Sequence, residues 1–376
     1  VTDAVTDAVT GPATDAVTDA VTGTAAPGDG AAAGLRVGLV GYGVAGAFFH
    51  APLIAATPGL RLSAVVTGNP ERAAEVHRRY GARAVGDAAE LWEESDLVVV
   101  ASPNRTHVPL ARAALEAGLP VVVDKPLAAT AAEARDLARL ARERGLMLTV
   151  FQNRRWDGDF RTVERLVSSG ELGEVTRLES RFERWRPVPK GGWRETGGAE
   201  ELGGLLYDLG SHLVDQALRL LGPAIEVYAE SDVRRPGVAA DDDTFVALTH
   251  AGGARSHLWV SSVAPVLGPR FRVLGSRAGY VKHGLDVQEE RLRAGADPGS
   301  PGFGEEPEER WGVLGTDDDH RPVRTEPGAY LDFYRGVVAC LREGAPPPVD
   351  PEEAAGVLAV LEAARRSAAE RRVVPL

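Results

Sequence analysis

Asp208 and His212 stand four residues apart in the run Gly203-Gly204-Leu205-Leu206-Tyr207-Asp208-Leu209-Gly210-Ser211-His212. On a helix that spacing stacks both side chains on one face. A carboxylate beside an imidazole can take up and return a proton near neutral pH, which is general acid–base chemistry. The two glycines ahead of the pair let the backbone make a tight approach into the helical run. A third group comes from far upstream. Lys125, in Asp124-Lys125-Pro126, ends an apolar stretch, and the following proline restricts its backbone to an extended form. An ammonium fixed in this way can hold an oxygen on which negative charge develops. The plain structural alternatives are a surface Asp–His pair and a lysine in a turn.

These residues need a frame to position them. Residues 35–40 form a short apolar strand, and Gly41, Tyr42, Gly43, Val44, Ala45 and Gly46 follow at once, opening a helical run to residue 56. A G-x-G-x-x-G run between a strand and a helix is a dinucleotide fingerprint. Gly41 makes the turn, Gly43 lets a pyrophosphate approach, and Gly46 lets helix and strand pack closely. The amides of the helix N-terminus then attract the phosphates. Strands at 60–66, 96–100, 120–123 and 147–151 alternate with helices at 71–80, 108–117 and 131–144. That rhythm predicts an α/β, doubly wound Rossmann domain on a parallel sheet.

The second strand runs into Thr67-Gly68-Asn69-Pro70-Glu71-Arg72, with no carboxylate at its tip. An acid there would bind the ribose hydroxyl of NAD. Thr67, Asn69 and Arg72 instead offer donors to a 2′-phosphate, which points to NADP, with NAD possible. Ser102, Pro103 and Asn104 place a polar turn at the carboxyl edge of the sheet, and Asp124 and Lys125 border the same crevice. His107 either touches the cofactor or caps its helix.

After residue 151 the rhythm alters. A helix at 159–168, a strand at 174–182 and the helix beginning near Asp208 precede extended stretches at 225–233, 244–250, 254–260 and 271–274. Strands in succession predict a mostly antiparallel sheet and a second, α+β domain. Asp241-Asp242-Asp243 reads as a solvated turn. Residues 294–329, rich in Gly, Pro, Asp and Glu, read as a long loop. Helices at 330–343 and 351–370 close the chain, the second announced by Asp350 as N-cap, Pro351 at N1 and Glu353 at N3. The expected organisation is a disordered low-complexity tail over 1–34, built on V-T-D-A repeats, a dinucleotide-binding domain over 35–153, and a substrate-binding and oligomerisation domain over 154–376.

Composition narrows the function. A net charge of −12, from 42 basic and 54 acidic residues, disfavours nucleic acid as a partner. No apolar run approaches the roughly 20 residues that span a bilayer, so no membrane segment is expected. The single cysteine, Cys340, excludes an intrachain disulfide and a cysteine-cluster zinc site, and the chain reads as cytoplasmic. Asp208 and His212 find no third ligand at metal-site spacing, so no metal is expected.

With these motifs in hand, the sequence resembles the Gfo/Idh/MocA family, the glucose–fructose oxidoreductase and inositol dehydrogenase group. The resemblance runs from about Leu35 to the C-terminus. It rests on the G-Y-G-V-A-G loop, the S-P-N-x-x-H turn, D-K-P and the G-G-L-L-Y-D-L-G-S-H stretch, in that order. D-K-P stands where the family has E-K-P, and Leu202 where many members have a third glycine. Within the family it is most similar to NADP-dependent scyllo-inositol dehydrogenases. The runs that carry this are Asn153-Arg154-Arg155-Trp156-Asp157-Gly158-Asp159-Phe160, Trp193-Arg194-Glu195 and Gly284-Leu285-Asp286-Val287-Gln288-Glu289.

The resemblance implies hydride transfer between NADP(H) and a secondary alcohol or ketone of a cyclic polyol or sugar. Catalysis would fall to Lys125, Asp208 and His212 across an interdomain cleft. His212 would take the hydroxyl proton, Lys125 would hold the oxygen, and Asp208 would orient the substrate or His212. Asn153, Arg154, Arg155 and Trp156 would lie near the substrate or the domain junction, the plain alternative being an interdomain salt-bridge cluster. The resemblance also implies a homodimer or homotetramer built on the open face of the second sheet. The competing functions are a sugar-nucleotide or other carbohydrate ketoreductase, and a non-catalytic NAD(P)-sensing regulator.

Overall fold

The computed structural model describes residues 34–189, 191, 195 and 202–376. The V-T-D-A repeats lie outside the described residues, as do Trp193 and Arg194. Six parallel strands open the described chain: β1 (Leu35–Val40), β2 (Leu60–Val66), β3 (Arg83–Val85), β4 (Leu97–Val100), β5 (Val121–Asp124) and β6 (Leu148–Phe151). They are ordered β3-β2-β1-β4-β5-β6. Val98, Val99, Val100, Val121, Val122 and Val123 are all fully buried, the continuous apolar reading of strands covered on both faces. The covering helices include α1 (Ala51–Ala56), α2 (Pro70–Tyr80), α3 (His107–Glu116) and α4 (Ala131–Arg144). Strand order reverses between β1 and β4, so the turns after these two strands flank the crevice where such sheets bind ligands. The three-residue β3 was too short to show a period in the sequence.

The second sheet has nine strands: β7 (Val175–Glu183), β8 (Ala224–Asp232), β9 (Asp243–His250), β10 (Arg255–Ser261), β11 (Phe271–Gly275), β12 (Gly279–Lys282), β13 (Gly312–Gly315), β14 (His320–Val323) and β15 (Val374–Pro375). Their order is β14-β13-β12-β11-β7-β10-β9-β8-β15, and all neighbours are antiparallel except β7 with β10. On β9 the residues Thr244, Val246, Leu248 and His250 are buried and the alternate ones are not, the period-2 signature of a sheet packed on one face. Helices α5 (Gly158–Ser168), α6 (Ser211–Leu221), α7 (Gln288–Arg293), α8 (Tyr330–Glu343) and α9 (Pro351–Glu370) accompany it.

Two expectations are corrected. The stretch 294–329 is not one loop, because β13 and β14 pair within it and extend the sheet to its edge. Glycines at both ends of β13, and Pro322 in the mostly exposed edge strand β14, hid them from a search for apolar alternation. The run Asp241-Asp242-Asp243 is not simply solvated. Asp242 is buried and ion-paired to Arg235 at 2.8 Å.

Both halves share one core. α9 packs on β8 and on α4 of the first domain. Thr149 of β6 donates its hydroxyl to the Val349 carbonyl at 2.8 Å and accepts the Val349 amide at 3.1 Å. Phe151 at the end of β6 meets Phe333 of α8 edge-on at 4.9 Å. Among the described residues no helix is long and apolar enough to cross a membrane.

Candidate active site

The glycine loop is built by close contacts. Gly41 has φ 101°, and a Cβ there would sit 2.7 Å from the Ala101 carbonyl oxygen. A Cβ at Gly46 would lie 2.1 Å from the Gly41 carbonyl oxygen, so neither position admits a side chain. At Gly43 a Cβ would meet nothing within 4 Å, and Val44 beside it is exposed. Open space therefore fronts the helix that begins here, whose first turn, Gly46–His50, is a π turn running into α1. Tyr42 is buried and donates its hydroxyl to Glu75 of α2 at 3.3 Å, so it braces the loop from behind.

The remaining residues of the predicted cofactor set divide. Asn69 caps α2, its Oδ1 accepting the amides of Glu71 and Arg72 at 2.9 and 3.0 Å. Its amino group, the Thr67 hydroxyl hydrogen and the exposed Arg72 guanidinium stay available as donors. Ser102 shares a hydroxyl bond with Thr106 at 2.6 Å, Pro103 is exposed, and Asn104 opens a short 3₁₀ turn, all at the tip of β4. His107 makes no cap bond to its helix. It is fully buried, with Nδ1 2.7 Å from the Pro126 carbonyl and Nε2 2.9 Å from the Ser102 carbonyl. It thus clamps the β4 turn to the β5 turn, and both nitrogens are committed to the backbone.

Lys125 stands at the end of β5, joined to Pro126 by a cis peptide bond. Its Nζ donates to Asp208 Oδ1 at 3.0 Å and also to the Asp208 carbonyl. Asp208 lies in a π turn, Leu206–Gly210, and His212 in the first turn of α6 that follows. The wider π turn disrupts the even stacking expected of an i, i+4 pair. Asp208 accordingly meets Lys125, whereas His212 Nδ1 sits 3.1 Å from Oε1 of Gln152, at the end of β6.

The approach to this turn has its own supports. Gly204 has φ 95°, and a Cβ there would fall 1.8 Å from Asp241 Oδ1. Asp241 comes this close because its carbonyl accepts the Leu205 amide at 2.9 Å and its Oδ2 accepts the Leu206 amide at 2.7 Å. Leu202 holds φ 56°, the left-handed region that favours glycine.

Electrostatics separate the titratable groups. His212 is 4% exposed. Burial, then the cations of Lys125, Arg154 and Arg270, hold its imidazole well below the ordinary range, so the ring is neutral at neutral pH. For Asp124, burial favours the acid, but His50, His107 and Lys125 together outweigh it and keep the carboxyl below its usual value. His50 itself is buried, its Nδ1 2.6 Å from the Tyr334 hydroxyl and its Nε2 3.6 Å from Asp124.

Comparison with known proteins now bears on this geometry. Residues 35–152 match the oxidoreductase family's NAD-binding Rossmann fold, and residues 164–376 match its C-terminal alpha/beta domain. The chain belongs to the Gfo/Idh/MocA family. It is an NAD(P)-binding oxidoreductase. Scyllo-inositol 2-dehydrogenase (NADP(+)) IolW of Bacillus subtilis is 36% identical over 349 residues, covering 91% of this chain and 96% of that protein. The uncharacterized oxidoreductase YdgJ of Escherichia coli is 40% identical, covering 91% of this chain and 99% of its own. A solved structure of yvaA from Bacillus subtilis superposes with a TM-score of 0.86 at 35% identity, over 92% of this chain and 99% of that one.

In this Gfo/Idh/MocA protein the N-R-R-W run forms a 3₁₀ turn, Asn153–Trp156, directly after β6. Both arginines are ion-paired, to carboxylates of the second domain rather than across the two domains. Arg155 grips Asp215 of α6 through Nε and Nη2 at 2.8 and 2.6 Å and gives Nη1 to Glu353 of α9 at 2.6 Å. Glu353 is drawn into this pairing rather than back to the N-cap. Arg154 donates to Asp157 at 3.2 Å and Glu289 at 2.5 Å. Asn153 is buried, and Trp156 packs edge-on against Phe333 at 5.5 Å. Sequence reasoning missed Gln152, His50 and Asp241. Gln152 adjoined the N-R-R-W run, but nothing in its spacing tied it to His212.

Proposed function

We propose that this protein is an NADP-dependent dehydrogenase of cyclic polyols or sugars, converting a secondary alcohol to a ketone and back, with scyllo-inositol or a near analogue as substrate. The observation that carries the reading is the meeting of Lys125 with Asp208 beside a buried, neutral His212, at the carboxyl edge of β5. The relative named as a scyllo-inositol 2-dehydrogenase (NADP(+)) supports both the substrate and the coenzyme.

The loop fits a dinucleotide, because Gly41 and Gly46 exclude a side chain while Gly43 fronts open space. Gly41 to Gly46 would hold the pyrophosphate, and Thr67, Asn69 and Arg72 the 2′-phosphate. When bound, NADP(H) supplies or receives the hydride. In the oxidative direction His212 accepts the hydroxyl proton on Nε2, which has no protein partner among the described residues. Lys125 donates a hydrogen bond to the same oxygen as charge builds on it. Asp208 holds the ammonium in place and would orient the substrate or His212. In the reductive direction the same proton returns from His212 to the oxygen.

The test is a panel of inositols, aldoses and related ketones, followed by the absorbance of reduced nicotinamide with each coenzyme. The expected result is best turnover on scyllo-inositol or a near analogue and a higher kcat/KM with NADP than with NAD. Turnover of a sugar nucleotide with none of any inositol would overturn the substrate, and a preference for NAD would overturn the coenzyme.

A further inference from the structure

We propose that Gln152 is a positioning residue that holds His212 in the tautomer protonated on Nδ1, leaving Nε2 as the basic nitrogen. The inference rests on reading His212 as the proton acceptor. Its geometry is simple. Gln152 ends β6, its backbone amide donating to the Val150 carbonyl at 2.8 Å, and its side chain is 3% exposed. Its Oε1 lies 3.1 Å from His212 Nδ1. With the carboxamide oxygen turned to the ring, where it can only accept, Nδ1 carries the hydrogen, and a neutral ring then bears its lone pair on Nε2.

The charges around the ring explain why an amide is used here. Lys125 reaches the ring from the end of β5, Arg154 from the turn after β6, and Arg270 from the segment before β11. The carboxylates nearby are taken: Asp208 by Lys125, Asp215 by Arg155 and Asp159 by Arg270. A carboxylate at the Gln152 position would orient the ring equally well but would stabilise the imidazolium. A neutral acceptor sets the tautomer and leaves burial and the cations to keep the ring unprotonated. The same segment steadies the helix, since Gln216 of α6 donates to the Arg154 carbonyl at 2.9 Å.

The experiment uses the full chain with ¹⁵N-labelled histidine, the His212→Asn spectrum identifying the His212 signals. The wild type is expected to show a protonated Nδ1 and an unprotonated Nε2 at neutral pH, and Gln152→Leu a mixture of tautomers. Gln152→Glu, nearly the same shape, is expected to raise the ring's pKa by about 1–3 units. The acid limb of the kcat/KM profile for oxidation should move up by the same amount. A wild-type ring protonated on Nε2, or a Gln152→Glu profile whose acid limb stays in place, overturns the proposal. The spectra need no turnover. Full activity in His212→Asn would therefore remove His212 as the base, while the tautomer populations still decide what Gln152 does to the ring.

Discussion

Asp208 and His212 share four residues of spacing but not a partner, and their separation shows how each side chain acquires its role. Lys125, Asp208 and His212 stood out in the sequence because the spacing of Asp208 and His212 pointed to proton handling and Pro126 to a fixed ammonium. Their pairing did not, because it depends on a π turn that no propensity announces. Gln152 was invisible for another reason: its bond to His212 spans 60 residues and exists only once β6 and α6 are folded together. Burial of a neutral imidazole also has a consequence for stability. Protons bind His212 in the unfolded chain, near pH 6.5, before they bind it in the fold. Its folded pKa is depressed, so its contribution is intact above about pH 6.5 and is lost as pH falls from there toward the folded value. Melting temperatures from pH 8 to 5 should therefore fall more steeply for the wild type than for His212→Asn, and parallel curves would contradict the buried neutral ring.

Whole elements carried the strongest sequence signal. The alternation of apolar strands and helices predicted β1, β2, β4, β5 and β6, because strands buried on both faces leave unbroken valine-rich runs. The β13–β14 hairpin failed to register, since its exposed edge needs no apolar alternation. The turn that carries Asp208 is the element on which the proposed function depends most. Its start is held by Asp241, and Gly204 is required because the Asp241 carboxylate occupies the space of a side chain. Asp241→Ala strips the acceptor from the Leu206 amide. It should cost about 1–3 kcal/mol in urea denaturation, the usual range for a buried donor left unpaired. It should also lower kcat, since Lys125 loses a fixed Asp208. A variant with wild-type stability would show that the turn holds itself.

At the scale of the molecule, α9 packs on α4 of the first domain, and Arg155, in the turn after β6, ties α9 to α6 through Glu353 and Asp215. The sequence marked this run as important but left two roles open, because an arginine's partners are not written beside it. Arg155→Met leaves Asp215, which is 2% exposed, as an uncompensated charge. A loss of about 3–5 kcal/mol is expected, read as a lower urea midpoint. A change within experimental error would mean that the bridge is dispensable. The fold brings Lys125, just after β5, against Asp208, just before α6, and the proposed chemistry depends on His212 beside them. The most direct test is steady-state oxidation of the best polyol by His212→Asn, with NADPH affinity measured by fluorescence titration on the same preparation. kcat/KM is expected to fall by about 10²–10⁴-fold with NADPH binding retained, and near-wild-type turnover would contradict His212 as the base.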